Sequence, residues 1–228
     1  MKLNSKVGLL IVLCLLGASC VQKPRADDCK SGQELVYENA GFSSYTEDRI
    51  RAAGVVTFQL ELNGMLTIYD LDTAVFGEVV RNEDGSYFTV NLPQKIVARW
   101  IVPQDDFSSF HFDAEAVDSS SDYLEIYVNS AKRLVKKDQV TYTFSPWTEY
   151  LKSSSIKLKA CNLLKNADGE SLASSKDQIF EVLAVKGDLI QIKSSKECLP
   201  DGTSFRELEG WLKWKSGDDL LIDFASCD

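Results

Sequence analysis

Short runs of strand-forming residues, separated by turn sequences, are the feature that most limits the folds open to this chain. β-branched and aromatic residues favour strands, and they recur in such runs from residue 34 to about residue 147. Helical periodicity is weak, and only 47–53 and 130–136 are plausible short helices. Several short strands at this spacing predict an all-β sandwich or barrel. The predicted strands are 55–62, 65–69, 75–80, 87–92, 95–102, 123–128 and 140–144.

Two turn sequences predict hairpins within this region. Asn63-Gly64 lies between two of the apolar runs, and both residues tolerate a positive φ. The segment 82–85, which ends in Gly85, lies between 75–80 and 87–92. We therefore predict that each of these turns joins two antiparallel strands.

The last third of the chain also alternates short strand-forming runs with turn sequences. Its turns contain the glycine, proline or aspartate that reverses a chain, at 186–188, 199–202 and 216–218. The segment 145–155 is richer in serine and proline and is interpreted as a linker. The predicted division is a β-rich domain over 34–150 and a small domain over 151–228. The five strands expected in the small domain are 156–161, 178–185, 189–193, 208–214 and 219–224.

Three motifs in this small domain resemble those of bacterial Src-homology-3-like domains. Lys157-Leu158-Lys159-Ala160-Cys161-Asn162-Leu163 is similar to the opening strand of that family, 180–192 to its central hairpin, and Gly210-Trp211-Leu212 to its Gly-Trp-hydrophobic strand. The resemblance implies a small five-stranded barrel that binds wall peptides, glycans or other proteins, often beside a catalytic domain. Two departures stand out: Leu164 replaces the usual arginine, and the insertion 194–207 is long.

Trp211 and Trp214 are the candidate ligand-binding residues of this domain, as exposed aromatic platforms. Side chains alternate along a strand, which puts Leu212 and Trp214 on one face and Trp211 and Lys213 on the other. The competing interpretation is that at least one of the two tryptophans, most of all Trp214, belongs to the core.

The N-terminus predicts export. Lys2 and Lys6 precede an apolar run of ten residues, 7–16, which is too short for a membrane span of roughly 20 residues. The sequence Leu16-Gly17-Ala18-Ser19-Cys20 resembles the bacterial lipobox, which implies a signal peptide over 1–19, an acylated Cys20 and a polar tether over 20–33. Ordinary cleavage near Ser19 is the alternative. We expect a lipoprotein of the bacterial cell envelope, facing the periplasm or the cell surface, or otherwise a secreted or periplasmic protein.

The cysteines fit an exported protein. Cys14 leaves with the signal peptide and Cys20 would carry lipid, which leaves an even number for disulfides. No two of the remaining cysteines lie closer than 29 residues in sequence, so their spacing does not suggest a metal site. Three connectivities are open, and the preferred one pairs Cys198 with Cys227 and Cys29 with Cys161.

The charge excludes some partners. The net charge is −9, and loss of Lys2 and Lys6 with the signal peptide takes it to −11. An acidic chain without a basic stripe argues against nucleic acid and against docking on anionic lipid. We expect contact with a membrane only through an N-terminal lipid.

One polar set could carry chemistry. His111, Asp113 and Glu115 would share one face of a strand, where they could ligate a metal or act as acid and base. The competing interpretation is a solvated polar face with Phe110 and Phe112 turned inward. The serine-hydrolase, phosphate-loop, dinucleotide and zinc-protease motifs are absent from the sequence.

The sequence thus predicts a non-catalytic envelope lipoprotein that binds a protein, a peptide or a cell-wall glycan and needs no cofactor or metal. Two alternatives stay open. One is a wall- or glycan-processing hydrolase that uses carboxylates such as Asp113 and Glu115 beside an accessory binding domain. The other is a structural subunit of a surface assembly.

Overall fold

The structure is a computed structural model that describes residues 34–36, 42–45, 49–82, 88–91, 96–103, 107–128, 130–197, 199 and 201–225. The predicted signal peptide and tether lie outside the described residues, as do Cys20, Cys29, Cys198 and Cys227. Within the described ranges most residues are in strands, with one short α-helix and one 3₁₀ turn. The prediction of an all-β protein is confirmed.

A nine-stranded sheet contains most of the described residues up to Pro146. Its order is β12-β3-β9-β10-β11-β4-β5-β6, and β8 also pairs with β9. A separate three-stranded sheet has the order β1-β2-β7, with β2 and β7 parallel. The strands are β1 Glu34–Val36, β2 Phe42–Tyr45, β3 Gly54–Glu61, β4 Met65–Tyr69, β5 Val75–Arg81, β6 Phe88–Asn91, β7 Ile96–Ala98, β8 Trp100–Pro103, β9 Phe107–Ala114, β10 Tyr123–Val128, β11 Ala131–Lys136 and β12 Thr141–Pro146.

The second predicted hairpin is confirmed, because β5 and β6 pair antiparallel from Glu78↔Asn91 to Arg81↔Phe88. The first is half right. Asn63 does turn the chain with a positive φ of 60°, but β3 and β4 do not pair with each other. The turn bonds instead to the end of β5: the Asn63 N–H donates to the Arg81 carbonyl, and the Arg81 N–H donates to the Gly64 carbonyl. The sheet therefore curls until the ends of β3 and β5 lie side by side.

The helix prediction over 130–136 is wrong. The segment is β11, which pairs with β10 from Tyr123↔Lys136 to Val128↔Ala131. Ser130 takes a positive φ of 69° in the tight connection, which no helix would allow. Pairing with β10 on one side and β4 on the other outweighs weak local propensity here. Of the other proposed helix, the described residues 49–53 are also not helical.

The C-terminal region forms a second sheet of five antiparallel strands, in the order β16-β15-β14-β13-β19. Five strands were expected there. A small hairpin of β17 and β18 lies beside it. The strands are β13 Ser155–Leu158, β14 Ile179–Lys186, β15 Leu189–Ser195, β16 Glu209–Lys213, β17 Lys215–Ser216, β18 Asp219–Leu220 and β19 Ile222–Ala225.

The segment interpreted as a linker contains helix α1, Trp147–Lys152. Trp147, Tyr150 and Leu151 on this helix are buried, and they pack into the core of the five-stranded sheet. Their apolar side chains need cover, so the segment cannot extend through solvent.

The strand β3 contributes to two cores. Val56, Phe58 and Leu60 face the core of the nine-stranded sheet, whereas Val55, on the opposite side of the strand, belongs to the core of the five-stranded sheet. The strand is therefore part of a wall between the two cores. Its neighbouring strand in this wall is β9, and the two strands pair with Val55 opposite Asp113 and Thr57 opposite His111.

Candidate functional site: an exposed tryptophan face and a buried junction

Strand β16 separates the two candidate tryptophans as alternation predicts. Trp211 is 48% exposed, whereas Trp214, just beyond the strand, is 3% exposed. The indole N–H of Trp214 donates to the Gly187 carbonyl at 3.0 Å, and its ring lies 6.1 Å from that of Trp147. Trp214 is thus part of the core and not accessible to a ligand, while Trp211 is.

Trp211 lies on the outer face of the five-stranded sheet. Gln191 is directly opposite it on β15, so their Cβ atoms are about 5 Å apart. A β-bulge between Val182 and Ala184 leaves Leu183 as the extra residue, and its side chain is 45% exposed. We define the Trp211 face as the outward side chains of β14, β15 and β16 around this tryptophan: Leu183, Leu189, Gln191, Glu209 and Trp211.

The Trp211 face combines apolar and polar groups. Leu189 is 39% exposed and supplies apolar surface on the strand beside Trp211. The Gln191 side-chain amide donates to the Glu209 carboxylate at 2.8 Å, which holds both planar groups beside the indole. An exposed aromatic ring bordered by hydrogen-bonding groups suits ligands that have an apolar surface with a polar edge.

The sheet beneath this face is fixed by packing. Ile190, Ile192 and Leu212 point the other way, and they are buried or nearly so. Gly210 brings β16 close to the segment after β13, since a Cβ at this position would lie 2.9 Å from the Leu164 Cδ2 atom. The Asn162 side chain then donates to the carbonyl of Lys213 at 2.6 Å. Trp211 is therefore presented on a strand that is held on both sides.

The polar set on β9 does not form one site. His111 and Asp113 face the five-stranded sheet and are covered by it, while Glu115 lies past the strand's end, where it accepts hydrogen bonds from Tyr127 and Lys132. The hydrogen bond from Tyr127 is the main reason why the pKa of Glu115 is lowered. The expected solvated polar face is therefore only partly right: Asp113 is buried, whereas His111 and Glu115 are partly exposed. Phe110 and Phe112 point into the core, as expected.

A buried ion pair occupies the junction of the two sheets. Arg99 and Asp113 are 3% and 4% exposed. The Arg99 Nη2 atom donates to Asp113 Oδ2 at 2.8 Å and its Nε atom donates to Oδ1, so the contact is bidentate. Asp113 Oδ2 also accepts the backbone N–H of Arg51, and Arg99 Nη2 donates to the Arg49 carbonyl.

Aromatic rings from the C-terminal region enclose this ion pair. The Arg99 guanidinium carbon lies 4.8 Å from the Trp147 ring centroid and 6.0 Å from that of Phe224. Tyr150 packs on Phe224 at 5.2 Å and shares a hydrogen bond with His111 Nδ1 at 3.0 Å. We call these residues the junction: Arg99, His111, Asp113, Trp147, Tyr150 and Phe224.

The sequence interpretation missed this junction. One signal was available: Arg99 is the single charge inside the apolar run 96–102, and a charge in such a run is either exposed or buried with a partner. Nothing in the sequence identified Asp113 as that partner.

Two further features have structural roles. Asn166 Oδ1 accepts the N–H groups of Asp168 and Glu170, so 166–170 forms a turn. Cys161 is disulfide-bonded. The other cysteines lie outside the described residues, so the preferred pairing stays a prediction. In the described part of the chain, no group of His, Cys, Asp and Glu residues could hold a metal ion.

The comparisons with known proteins give no relatives: no protein-family model, no curated protein and no solved structure matches this chain. None of the helices in the described ranges has the length and apolar character needed to cross a membrane.

Proposed function

We propose that this chain is a non-catalytic lipoprotein of the bacterial cell envelope that binds a protein, peptide or wall-glycan partner through the Trp211 face. The observation that carries the proposal is the half-exposed Trp211 on a packed strand. Burying the rest of such a ring on a ligand is favourable, and tryptophan is among the residues that most often dominate binding energy.

Two further observations support a binding role. The C-terminal sheet has the strand number that the resemblance to Src-homology-3-like domains implies, and its Gly210-Trp211-Leu212 motif lies on an outer strand of the sheet. The carboxylates considered for a hydrolase are engaged elsewhere: Asp113 is buried against Arg99, and Glu115 is bonded to Tyr127 and Lys132.

Replacing Asp113 cannot separate the hydrolase from the binding protein, because the loss of a buried ion-pair partner would disturb the fold in either case. A substitution at Trp211 tests the binding role more directly. We expect Trp211→Ala to lower the free energy of unfolding by only about 1 kcal/mol, because about half of the side chain is already packed on the sheet. The same change should weaken ligand binding at least ~10-fold if Trp211 is a central contact.

The experiment measures retention of the chain without residues 1–20 on purified peptidoglycan and on immobilised solubilised envelope proteins. Leu71→Ala is the matched control, because Leu71 is 61% exposed on the β4–β5 turn of the other sheet. The proposal predicts that the control binds like the parent and that Trp211→Ala does not. Equal binding by both variants would refute a role for the Trp211 face. Failure of the parent to bind either material would refute the proposed function.

A further inference from the structure

His111 connects the two sheets of the protein. It projects from β9 of the nine-stranded sheet, and its Nδ1 atom lies 3.0 Å from the hydroxyl of Tyr150 on α1. Tyr150 is buried, and its ring packs against Phe224 of β19 in the five-stranded sheet. The imidazole therefore contacts one of the residues through which the C-terminal region packs on β9.

The charged groups around His111 do not favour a second positive charge there. Arg99, whose N–H donates to the His111 carbonyl, already places a guanidinium in the junction. Asp113, two residues along the same face of β9, is the facing carboxylate, but Arg99 binds both of its oxygens. The α1 helix adds Tyr150, whose phenol is neutral at pH 7, and burial raises its pKa further above its usual value near 10. Thr57, opposite His111 on β3, and Trp100, opposite it on β8, carry no charge.

Burial has the expected effect on the imidazole. Desolvation lowers the pKa of His111 to about 4, so the side chain is neutral at pH 7. A protonated His111 would bring an uncompensated charge into the junction beside the Arg99–Asp113 pair.

We propose that the junction is acid-sensitive: protonation of His111 separates the five-stranded sheet and α1 from β9 while both sheets keep their strands. The Trp211 face then changes its position relative to the nine-stranded sheet. This inference concerns the junction alone and does not depend on what the Trp211 face binds.

The direction of the pH dependence follows from the sign of the shift. The pKa of an exposed histidine is about 6.5, and in the closed junction it is about 4. The stability of the closed state relative to the open state is therefore greatest above pH 6.5, and it decreases as the pH falls from 6.5 to 4. Below pH 4 the equilibrium between closed and open states has shifted by about 300-fold towards the open state, which is the factor for a difference of about 2.5 pKa units.

The test exploits the fact that the chain contains one histidine. Its imidazole proton resonances in the full chain report the pKa of His111 directly by NMR. Small-angle X-ray scattering and far-ultraviolet circular dichroism over the range pH 4 to 7 then report separation and strand content. His111→Gln is the matched variant, since it keeps a polar side chain that does not titrate in this range.

We expect a histidine pKa well below 6, a radius of gyration that rises as the pH falls towards 4, and unchanged strand content. In His111→Gln the radius should not depend on pH over the same range. A histidine pKa near 6.5 would overturn the proposal even if the variant failed to fold. A constant radius in the parent, simultaneous loss of strand signal, or the same pH profile in His111→Gln would overturn it as well.

Discussion

Replacing Asp113 by alanine should destabilise the protein strongly, although the residue lies far from the Trp211 face. Asp113 is 4% exposed, and its carboxylate accepts two hydrogen bonds from Arg99 and one from the backbone N–H of Arg51. Without it, the Arg99 guanidinium would stay in the junction with the Arg49 carbonyl and the faces of Trp147 and Phe224 as its neighbours.

The magnitude follows from the cost of an unpaired buried charge. Breaking a buried ion pair by removing one partner costs about 3–5 kcal/mol, so we expect that loss for Asp113→Ala and a similar loss for Arg99→Met. The double variant Arg99→Met with Asp113→Leu leaves no buried charge. It deprives the Arg49 carbonyl and the Arg51 N–H of the partners described above, at about 1–3 kcal/mol each. The double variant should therefore be more stable than the sum of the two single losses predicts, by about 4 kcal/mol at the midpoints of these ranges.

The assay is urea unfolding of the parent, both single variants and the double variant, followed by far-ultraviolet circular dichroism at pH 7. Coupling is the departure of the double variant from the sum of the single ones. Single losses below about 1 kcal/mol, or additivity within ~0.5 kcal/mol, would refute the view that the ion pair is buried and isolated from water.

Two further stability predictions rest on local geometry. Gly54→Ala should cost about 1–3 kcal/mol, because its Cβ would overlap the Ser145 carbonyl oxygen and lie 2.9 Å from the Pro146 Cα atom. Gly210→Ala meets only the flexible tip of Leu164 and should cost less; equal losses in urea unfolding would contradict this reasoning. Gln178→Ala should cost about 2–3 kcal/mol, since the buried amide bonds the Arg206 N–H and the Ser204 carbonyl. A thermal midpoint unchanged by Gln178→Ala would exclude that anchoring role.

The local sequence pattern was enough to predict much of the fold. Runs of β-branched residues gave the all-β class, and the segment 82–85 gave the β5–β6 hairpin, because these depend on neighbours in sequence. The alternation of side chains along β16 was enough to predict that Trp211 is exposed and Trp214 is buried. The Trp211 face was thus predictable in its central residue, although the bulge that turns Leu183 outward was not.

What the sequence did not reveal depends on distant contacts. Asn63-Gly64 predicts a turn, but whether the joined strands pair is decided by β9, β10 and β11, which lie between them in the sheet. His111 and Asp113 read as polar and hence exposed, because nothing nearby in sequence shows that α1 and β19 cover them. Trp147 and Tyr150 likewise follow a serine-proline sequence typical of linkers, and only the second core explains their burial.

The position of β3 in the wall between the cores has a consequence for the order in which the protein can acquire structure during synthesis. Gly54 pairs with Ala114, which is made 60 residues later, and with Pro146, made 92 residues later. Val55 then needs the core that includes Phe224, which is made 169 residues later. Closing such long loops must be compensated by contacts that do not yet exist while the chain is growing. Strand β3 therefore remains without its partners until late in synthesis, and a chain that ends before β19 lacks part of the core that covers Val55.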